Sequence, residues 1–181
     1  MIERIKGHII DLRPVELDDA GFIHELRSDP NRAKHLNPIK GTVADQRNWL
    51  LGYKQREVAK QEMYFVVLRK SGNPCGLVRL YDIQPPRFTW GSIIFVEDRP
   101  KLAALEATVL SIGFGFEKLA CSRVELDVRR ENTVAIAFYQ RFGFHLTGQD
   151  EASLYFTLEK PEFDRLSDRH RTFISQGAVE H

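Results

Sequence analysis

Apolar positions recur along the chain with two different periods, which predict an alternation of helices and strands. Val134, Phe138 and Phe142 lie four residues apart and share one face of a helix, which Asn132 can cap and Gly143 can end. Compact apolar or alternating runs on both sides of this helix predict strands. Helices are predicted over residues 20–26, 42–60, 101–119, 132–143 and 161–173, and strands over 8–13, 63–69, 76–83, 88–96, 123–128, 145–147 and 152–158. This order predicts a mixed α/β sheet with helices on both faces.

The length of the chain, 181 residues, predicts a single domain. Residues 1–160 are interpreted as the domain proper, and residues 161–181 as a C-terminal helix and tail that pack on the same domain. No internal repeat, linker or low-complexity segment interrupts the chain. The apolar fraction of 43% and the 12 phenylalanines are sufficient for a packed core.

The charge balance and the cysteine content argue against several classes of function. The chain has 26 basic and 25 acidic residues, so no net charge attracts nucleic acid or a membrane surface. Cys75 and Cys121 lack metal-ligand spacing, as do His24, His35 and His145, and no metal is expected. No apolar run approaches the roughly 20 residues that span a bilayer, and the start lacks the apolar region of a signal peptide. We therefore expect a soluble cytoplasmic protein with neither nucleic-acid nor membrane partners.

One phenol, that of Tyr139, lies on the helix between the last strands and is a candidate acid. Residues 132–144, N-T-V-A-I-A-F-Y-Q-R-F-G-F, resemble the C-terminal signature of the GNAT acetyltransferase superfamily, N-x-x-A-I-x-x-Y-x-x-x-G-F. The resemblance implies acetyl-CoA as co-substrate and acetyl transfer to an amine. It also implies a GNAT-like fold, with a central, mostly antiparallel sheet and a splayed parallel strand pair.

A second segment, residues 99–104, precedes the helix that is predicted from Lys101. A helix N-terminus offers free N–H groups that can bind the pyrophosphate of acetyl-CoA. The segment R-P-K-L-A-A resembles the family's R/Q-x-x-G-x-G/A turn at Arg99 and Ala104, but Leu102 replaces a glycine. We expect this leucine to point away from the phosphates, or the turn to take another shape. The resemblance implies cofactor contacts by Ile94, Phe95, Val96, Arg99, Lys101, Leu102, Ala103, Ala104, Asn132, Phe138 and Arg141.

The catalytic groups follow from the same resemblance. It implies that Tyr139, with an ordinary pKa of about 10, protonates the departing thiolate, whose conjugate acid has a comparable pKa. The base that deprotonates the amine stays open between Asp82, at the end of the hairpin strand, and Asp127, beside the splay. Glu97, Asp98 and a chain of water molecules are further alternatives.

The acceptor amine is the least determined part of the prediction. Residues 12–20, L-R-P-V-E-L-D-D-A, resemble the branch that includes ribosomal-protein N-terminal acetyltransferases, and similar openings occur in amino-sugar acetyltransferases. The pair Trp90-Gly91 resembles a W-G pair of nucleotide-linked amino-sugar members, so Trp90 is predicted to stack on the substrate. Arg32 is predicted to meet a nucleotide diphosphate.

We therefore expect a small-molecule amine as acceptor, with a nucleotide-linked amino sugar as the first choice. An enzyme that acetylates a protein N-terminus and a non-catalytic GNAT-fold binding module are the alternatives, the second because of Leu102. Phe163 and Phe173 on the terminal helix indicate a surface that a second copy of the chain could cover, and a homodimer is kept as a hypothesis.

Overall fold

The computed structural model describes residues 4–179, which form one eight-stranded sheet with α-helices around it. The strands are β1 (Ile5–Lys6), β2 (Ile10–Pro14), β3 (Met63–Arg69), β4 (Pro74–Gln84), β5 (Arg87–Phe95), β6 (Arg123–Arg129), β7 (His145–Gln149) and β8 (Ser153–Glu159). The helices are α1 (Ala20–Ser28), α2 (Val43–Val58), α3 (Ala103–Lys118), α4 (Thr133–Phe142) and α5 (Lys160–Val179), and a short 3-10 helix covers Leu17–Asp19. The predicted α/β fold class is confirmed.

The sheet is antiparallel at every described strand pair except β5 and β6. Its strand order is β1-β2-β3-β4-β5-β6-β8-β7. β5 and β6 pair in parallel only from Arg87 opposite Arg123 to Thr89 opposite Glu125, and they separate beyond that point. The predicted splayed pair in a mostly antiparallel sheet is therefore confirmed, and the splay opens a gap beside β5.

Several helix boundaries differ from the sequence-based expectation, among them those of α3 and of the terminal helix. The helix predicted from Lys101 begins at Ala103, because Leu102 has a left-handed backbone, with a φ of 65°, that cannot continue a right-handed helix. The terminal helix predicted over residues 161–173 runs from Lys160 to Val179. The end of the predicted tail, residues 180–181, lies outside the described residues.

A β-bulge in β5 lies next to the splay. The pairing of β4 with β5 shifts register between Leu77 and Arg79, so that β5 holds one extra residue, and Ser92 takes a φ of 51°. An extra residue moves all later side chains of a strand to the opposite face. Trp90 accordingly packs into the core beneath α3, whereas Ile94 packs into the core beneath α1 and α2.

Helices cover both faces of this sheet. α1 and α2 bury one face, and α3, α4 and α5 bury the other. Gly115 lets α3 approach the sheet, because a Cβ at this position would collide with the ring of Phe88. Phe163 and Ile174 of α5 are buried in the same cluster as α3, so the terminal helix packs directly on that helix. Within residues 4–179, no helix is both long enough and apolar enough to cross a bilayer.

Candidate active site

A cleft of about 610 Å³ lies where β5 and β6 diverge. The end of β5 forms one wall, α4 forms the other, and the start of α3 and the loop after α1 close the two ends. The lining residues are Asp29, Asn31, Arg32, His35, Ile93, Ile94, Phe95, Val96, Glu97, Arg99, Ala104, Asn132, Val134, Ala135, Phe138 and Tyr139. We call this space the donor cleft, because it contains most of the residues that were predicted to hold acetyl-CoA.

A second cavity, of about 410 Å³, adjoins the donor cleft, and we call it the acceptor cavity. It extends between the loop after α1, β4 and β6, and its lining includes Arg79, Asp127 and Arg129. The residues that line both spaces are His35, Ile93, Asn132, Ala135 and Tyr139. A compound in the donor cleft and a compound in the acceptor cavity would therefore lie next to each other beside Tyr139.

The N-terminus of α3 is open toward the donor cleft. Its N-cap residue, Leu102, has no side-chain acceptor, so no side chain caps the first turn. The N–H of Ala103 donates to the carbonyl of Pro100 at 3.1 Å. The N–H groups of Ala104 and Leu105 find no acceptor in the described part of the chain, and Ala104 lines the cleft. These free N–H groups and the helix dipole favour an anion at this end of the cleft.

The turn accommodates Leu102 in the place where the family has glycine. The residue takes the left-handed conformation that glycine adopts without cost. Its Cδ1 lies only 2.9 Å from where a Cβ on Gly177 would be, so its side chain rests against α5. Leu102 does not line the donor cleft. The expectation that this leucine points away from the phosphate position agrees with this arrangement.

The predicted cofactor residues divide into two groups. The structure places seven of them along the donor cleft, namely Ile94, Phe95, Val96, Arg99, Ala104, Asn132 and Phe138. Lys101, Leu102, Ala103 and Arg141 do not line it. Ala103 is fully buried and its N–H already donates to the carbonyl of Pro100. Arg141 is exposed on the last turn of α4. Cofactor contacts by these four side chains have no support in the shape of the cleft.

Tyr139 lies at the junction with its ring packed in the core and only 7% of its surface exposed. The ring meets the edge of Trp90 at a centroid distance of 5.9 Å. Burial raises the pKa of Tyr139 well above its ordinary value, and the negative charge of Asp127 adds to the shift. This direction argues against the predicted match between the pKa of Tyr139 and that of a thiol. At neutral pH the phenol keeps its proton firmly and can donate a hydrogen bond.

The two candidate carboxylate bases lie in different places. Asp127 is exposed on β6 and lines the acceptor cavity. Asp82 is also exposed, but it lines neither space that contains Tyr139; it borders a separate cavity of about 360 Å³ together with Glu125. The prediction of Asp82 as a base therefore loses its geometric support; Asp82 has a φ of 46° and lies at a register shift between Tyr81 and Gln84, within β4. Glu97 lines the donor cleft, but its side chain is almost fully exposed.

His35 is a group at the junction that the sequence reasoning set aside. The sequence shows only that His35 lacks metal-ligand spacing, and it assigns this residue no role. In the structure, His35 lines both the donor cleft and the acceptor cavity, and its Nδ1 is buried without a hydrogen-bond partner among the described residues. No sequence signal could have found it, because the loop after α1 reaches Tyr139 only through the tertiary fold.

The two residues predicted to bind the acceptor lie in different spaces. Trp90 lines the acceptor cavity, but it is only 1% exposed and its indole N–H donates to the hydroxyl of Ser111 at 2.8 Å, so most of its ring packs in the core. Arg32 lines the donor cleft and not the acceptor cavity. It forms an ion pair with Asp29 and lies 3.6 Å from Glu97, so nearby carboxylates already balance its charge.

Comparison with known proteins identifies the family to which this chain belongs. Residues 10–145 match the family model described as the acetyltransferase (GNAT) domain. The chain belongs to the GNAT acetyltransferase family. Among curated relatives, the spermidine N(1)-acetyltransferase of Escherichia coli (strain K12) is 27% identical over 147 residues, which cover 79% of this chain and 76% of the relative. The resemblance seen in the sequence is confirmed, and the chain is an N-acetyltransferase.

Solved structures agree with this family. Apo FdhC, a nucleotide-linked sugar GNAT, superposes with a TM-score of 0.87 and is 29% identical, with 94% of this chain and 97% of FdhC covered. The spermidine N-acetyltransferase of Vibrio cholerae in complex with CoA and spermine has a TM-score of 0.74 and 22% identity, with 85% of this chain and 97% of that chain covered. This second likeness shows the fold alone.

Proposed function

We propose that this N-acetyltransferase transfers the acetyl group of acetyl-CoA to the primary amine of a nucleotide-linked amino sugar. The observation that carries the proposal is the charge of the acceptor cavity. Arg27, Arg79 and Arg129 line it, against one carboxylate, that of Asp127. A buried ion pair with Glu62 balances Arg79. The other two arginines have no carboxylate within 4.0 Å in the described part of the chain, so the cavity favours an anionic acceptor.

The donor cleft fits acetyl-CoA at both of its ends. The open N–H groups of Ala104 and Leu105 and the guanidinium of Arg99, which lies 5.5 Å from the ring centroid of Phe95, suit a pyrophosphate. Beyond Thr89, β5 has no partner on its β6 side, and its free edge suits the amide groups of a pantetheine arm. The acetyl thioester would then lie at the junction beside Tyr139.

The residues at the junction can assist each step of acetyl transfer. An alkyl amine has a pKa of about 10.4 and must lose a proton before it can attack the thioester. We assign His35 as the acceptor of that proton, because this residue lines both spaces and its Nδ1 has no hydrogen-bond partner among the described residues. The bulge at Ser92 leaves backbone groups of β5 outside the ladder, and an N–H there can stabilise the oxyanion. Tyr139 donates a hydrogen bond to the sulfur as it leaves.

Three alternatives compete with this proposal. Spermidine is the substrate in the name of one relative, but a polycation would enter a cavity lined by three arginines and one aspartate, where like charges repel. A peptide N-terminus offers no phosphate to match Arg27 and Arg129. A non-catalytic binding module is not retained, because the chain belongs to a family of N-acetyltransferases and Leu102 leaves the donor cleft open.

The proposal is tested by thiol release from acetyl-CoA with three acceptors, namely a UDP- or dTDP-linked amino sugar, spermidine and a ribosomal-type N-terminal peptide. We expect kcat/KM to be at least about tenfold higher for the nucleotide-linked sugar. Arg129→Gln should lower that kcat/KM about tenfold, whereas Arg130→Gln, which does not line the cavity, should leave it unchanged. A higher kcat/KM with spermidine or with the peptide would overturn the proposal.

A further inference from the structure

We propose that Asp127 and Tyr81 hold the amino group of the acceptor, in a space that Gly91 keeps open beside Tyr139. The inference rests on the proposed function, since it names the residues that bind the reacting amine. All four residues line the acceptor cavity. The arginines of the same cavity hold the anionic part of the acceptor, so the two parts of the molecule are recognised by opposite charges.

The register of the strands places Asp127 where the splay opens. β5 and β6 are last paired at Thr89 and Glu125. Because side chains alternate between the two faces of a strand, the next residues on the same face are Gly91 of β5 and Asp127 of β6. These two positions lie on either side of the widening gap. Gly91 has no side chain, so it leaves room for a ligand group next to the carboxylate.

Tyr81 of β4 borders this space on the other side of Gly91. A Cβ at Gly91 would lie 3.3 Å from the hydroxyl of Tyr81, so the phenol projects over the glycine. The guanidinium of Arg79 lies 5.1 Å from the centroid of the phenol ring and supports it. The hydroxyl of Tyr81 forms no hydrogen bond with the described residues and is not buried, so a ligand can reach it.

The electrostatics agree with a carboxylate close to both phenols. Burial raises the pKa of Tyr81 to about 12, and the charge of Asp127 adds to the shift. The same charge adds to the shift that burial causes in the pKa of Tyr139. Tyr81 therefore stays protonated at neutral pH, and its oxygen can accept one N–H of an ammonium group while the carboxylate accepts another.

Asp127 has no cationic partner within the part of the chain that the structure describes. It is the one carboxylate among the lining residues of the acceptor cavity, and no arginine, lysine or histidine lies within 4.0 Å of it. Arg79, on the neighbouring strand, pairs with Glu62 instead. The ammonium group of the acceptor supplies the missing partner. Since His35 accepts the proton in the proposed function, Asp127 orients the charged amine before that proton leaves.

The experiment measures thiol release at saturating acetyl-CoA, with a UDP- or dTDP-linked amino sugar as acceptor. We expect KM for the sugar to rise about tenfold in Asp127→Asn and about fivefold in Tyr81→Phe, since each variant loses a contact with a charged amine. Inhibition by UDP or dTDP, which lack the amine, should not weaken in either variant. Asp82→Asn removes a carboxylate of β4 that does not line the acceptor cavity, and this matched control should keep KM within about twofold.

The pH profile of kcat separates a contact with the amine from a structural role. A carboxylate raises the pKa of an ammonium beside it, and kcat follows the groups of the bound complex. Because the neutral amine attacks, kcat rises with pH through that pKa, and Asp127→Asn should move the rise about one pH unit lower. The rise of kcat/KM, which reports the free amine, should not move.

The comparison at each pH is between proteins that differ in one group. The other charged or titratable residues of the acceptor cavity and of the neighbouring cavity on the same sheet face are unchanged in Asp127→Asn, namely Arg27, His35, Arg79, Tyr81, Arg129 and Tyr139, with Asp82, Glu125 and Tyr155. The side chain of Asp127 forms no ion pair with the described residues, so this variant should melt at the temperature of the wild type.

An unchanged KM in Asp127→Asn would contradict the proposal, as would an equal weakening of inhibition by UDP or dTDP, or a kcat profile that does not move. The test also distinguishes this inference from the proposed function. If spermidine or the peptide is the better acceptor, the nucleotide part of the proposed function has failed. The KM and the kcat profile of Asp127→Asn with that amine then decide whether Asp127 binds the amino group.

Discussion

Two helix N-termini border the donor cleft, and they differ in how their first turns are completed. α4 caps itself, because the side chain of Asn132 accepts from the N–H of Ala135 at 3.2 Å. The N-cap residue of α3, Leu102, offers no acceptor and leaves first-turn N–H groups free. We infer from this difference that the N-termini of the two helices have different roles. α4 holds Tyr139 and has a side-chain acceptor at its first turn, whereas the first turn of α3 has no side-chain acceptor and can receive an anion.

The left-handed backbone of Leu102, before α3, has an energetic cost that neighbouring contacts offset. A leucine in the left-handed region costs about 1–2 kcal/mol relative to the right-handed helix. The side chain of Leu102 is held against Gly177 of α5, and Phe163 and Ile174 fasten α5 to the core. The terminal helix thus supports the turn that offers N–H groups to the cleft.

The largest effect is expected from the capped helix. Tyr139→Phe removes the hydroxyl at the junction and keeps the ring that packs on Trp90. We expect kcat to fall about 100-fold, because a hydrogen-bond donor placed at a developing charge in a buried site contributes about that much. The Kd for acetyl-CoA, measured by calorimetry, should stay within about twofold of the wild type. An unchanged kcat in this variant would show that the hydroxyl of Tyr139 does not take part in catalysis.

A charge introduced at the N-terminus of α3 should have the opposite result, namely weaker acetyl-CoA binding with little change in kcat. Leu102→Asp places a negative charge one or two residues before the free N–H groups, where its field weakens the attraction of this turn for the pyrophosphate, and aspartate tolerates the left-handed backbone. We expect the Kd for acetyl-CoA to rise about tenfold, with little change in kcat at saturation. Leu102→Asn is the neutral control of the same shape and should bind within about twofold of the wild type. If both variants bind acetyl-CoA with the same Kd, a negative charge at this turn has no effect on cofactor binding.

A smaller effect is expected when the cap of α4 is removed. Asn132→Ala should lower the free energy of unfolding by about 1 kcal/mol, because the N–H of Ala135 loses its acceptor. Urea unfolding measures this loss, and Asn132→Asp, which keeps a capping oxygen, should retain most of the stability. Equal stability of the alanine variant and the wild type would mean that the cap contributes nothing. The same variant tests the predicted cofactor contact, since a weaker Kd for acetyl-CoA would support it.

The smallest effect at ordinary pH concerns the buried phenols. Burial raises the pKa of Tyr81 to about 12 and raises those of Tyr53, Tyr64 and Tyr139 as well. The unfolded chain loses phenolic protons near pH 10, whereas the folded chain keeps them. The free energy of unfolding should therefore be insensitive below about pH 10 and should fall as the pH rises from there toward 12. Urea unfolding across that range should show a shallower fall in Tyr139→Phe and the wild-type fall in Leu102→Asn.

The sequence reasoning was successful where a local pattern decides the structure. Asn132 and Gly143 bound α4 as predicted, because capping depends on a few neighbouring residues. Residues that line the cleft through their place on one strand, such as Ile94 and Val96, were also found. His35 was missed and Asp82 was misplaced, because no local pattern reports which loop reaches the junction. The burial of Trp90 was not foreseen, because a bulge and the hydroxyl of Ser111 decide its surroundings, and its contact with the acceptor stays a prediction.

The sequence by itself determined the order of the elements, the family and the identity of the phenol on α4, since periodicity, capping and the 132–144 signature are local properties. Only the tertiary structure decided what that phenol does. Packing buries Tyr139, raises its pKa and places His35 beside it, and α5 turns Leu102 away from the donor cleft. Desolvation and cavity charge depend on groups that are far apart along the chain, so they exist only once the sheet, the bulge and the helices have come together.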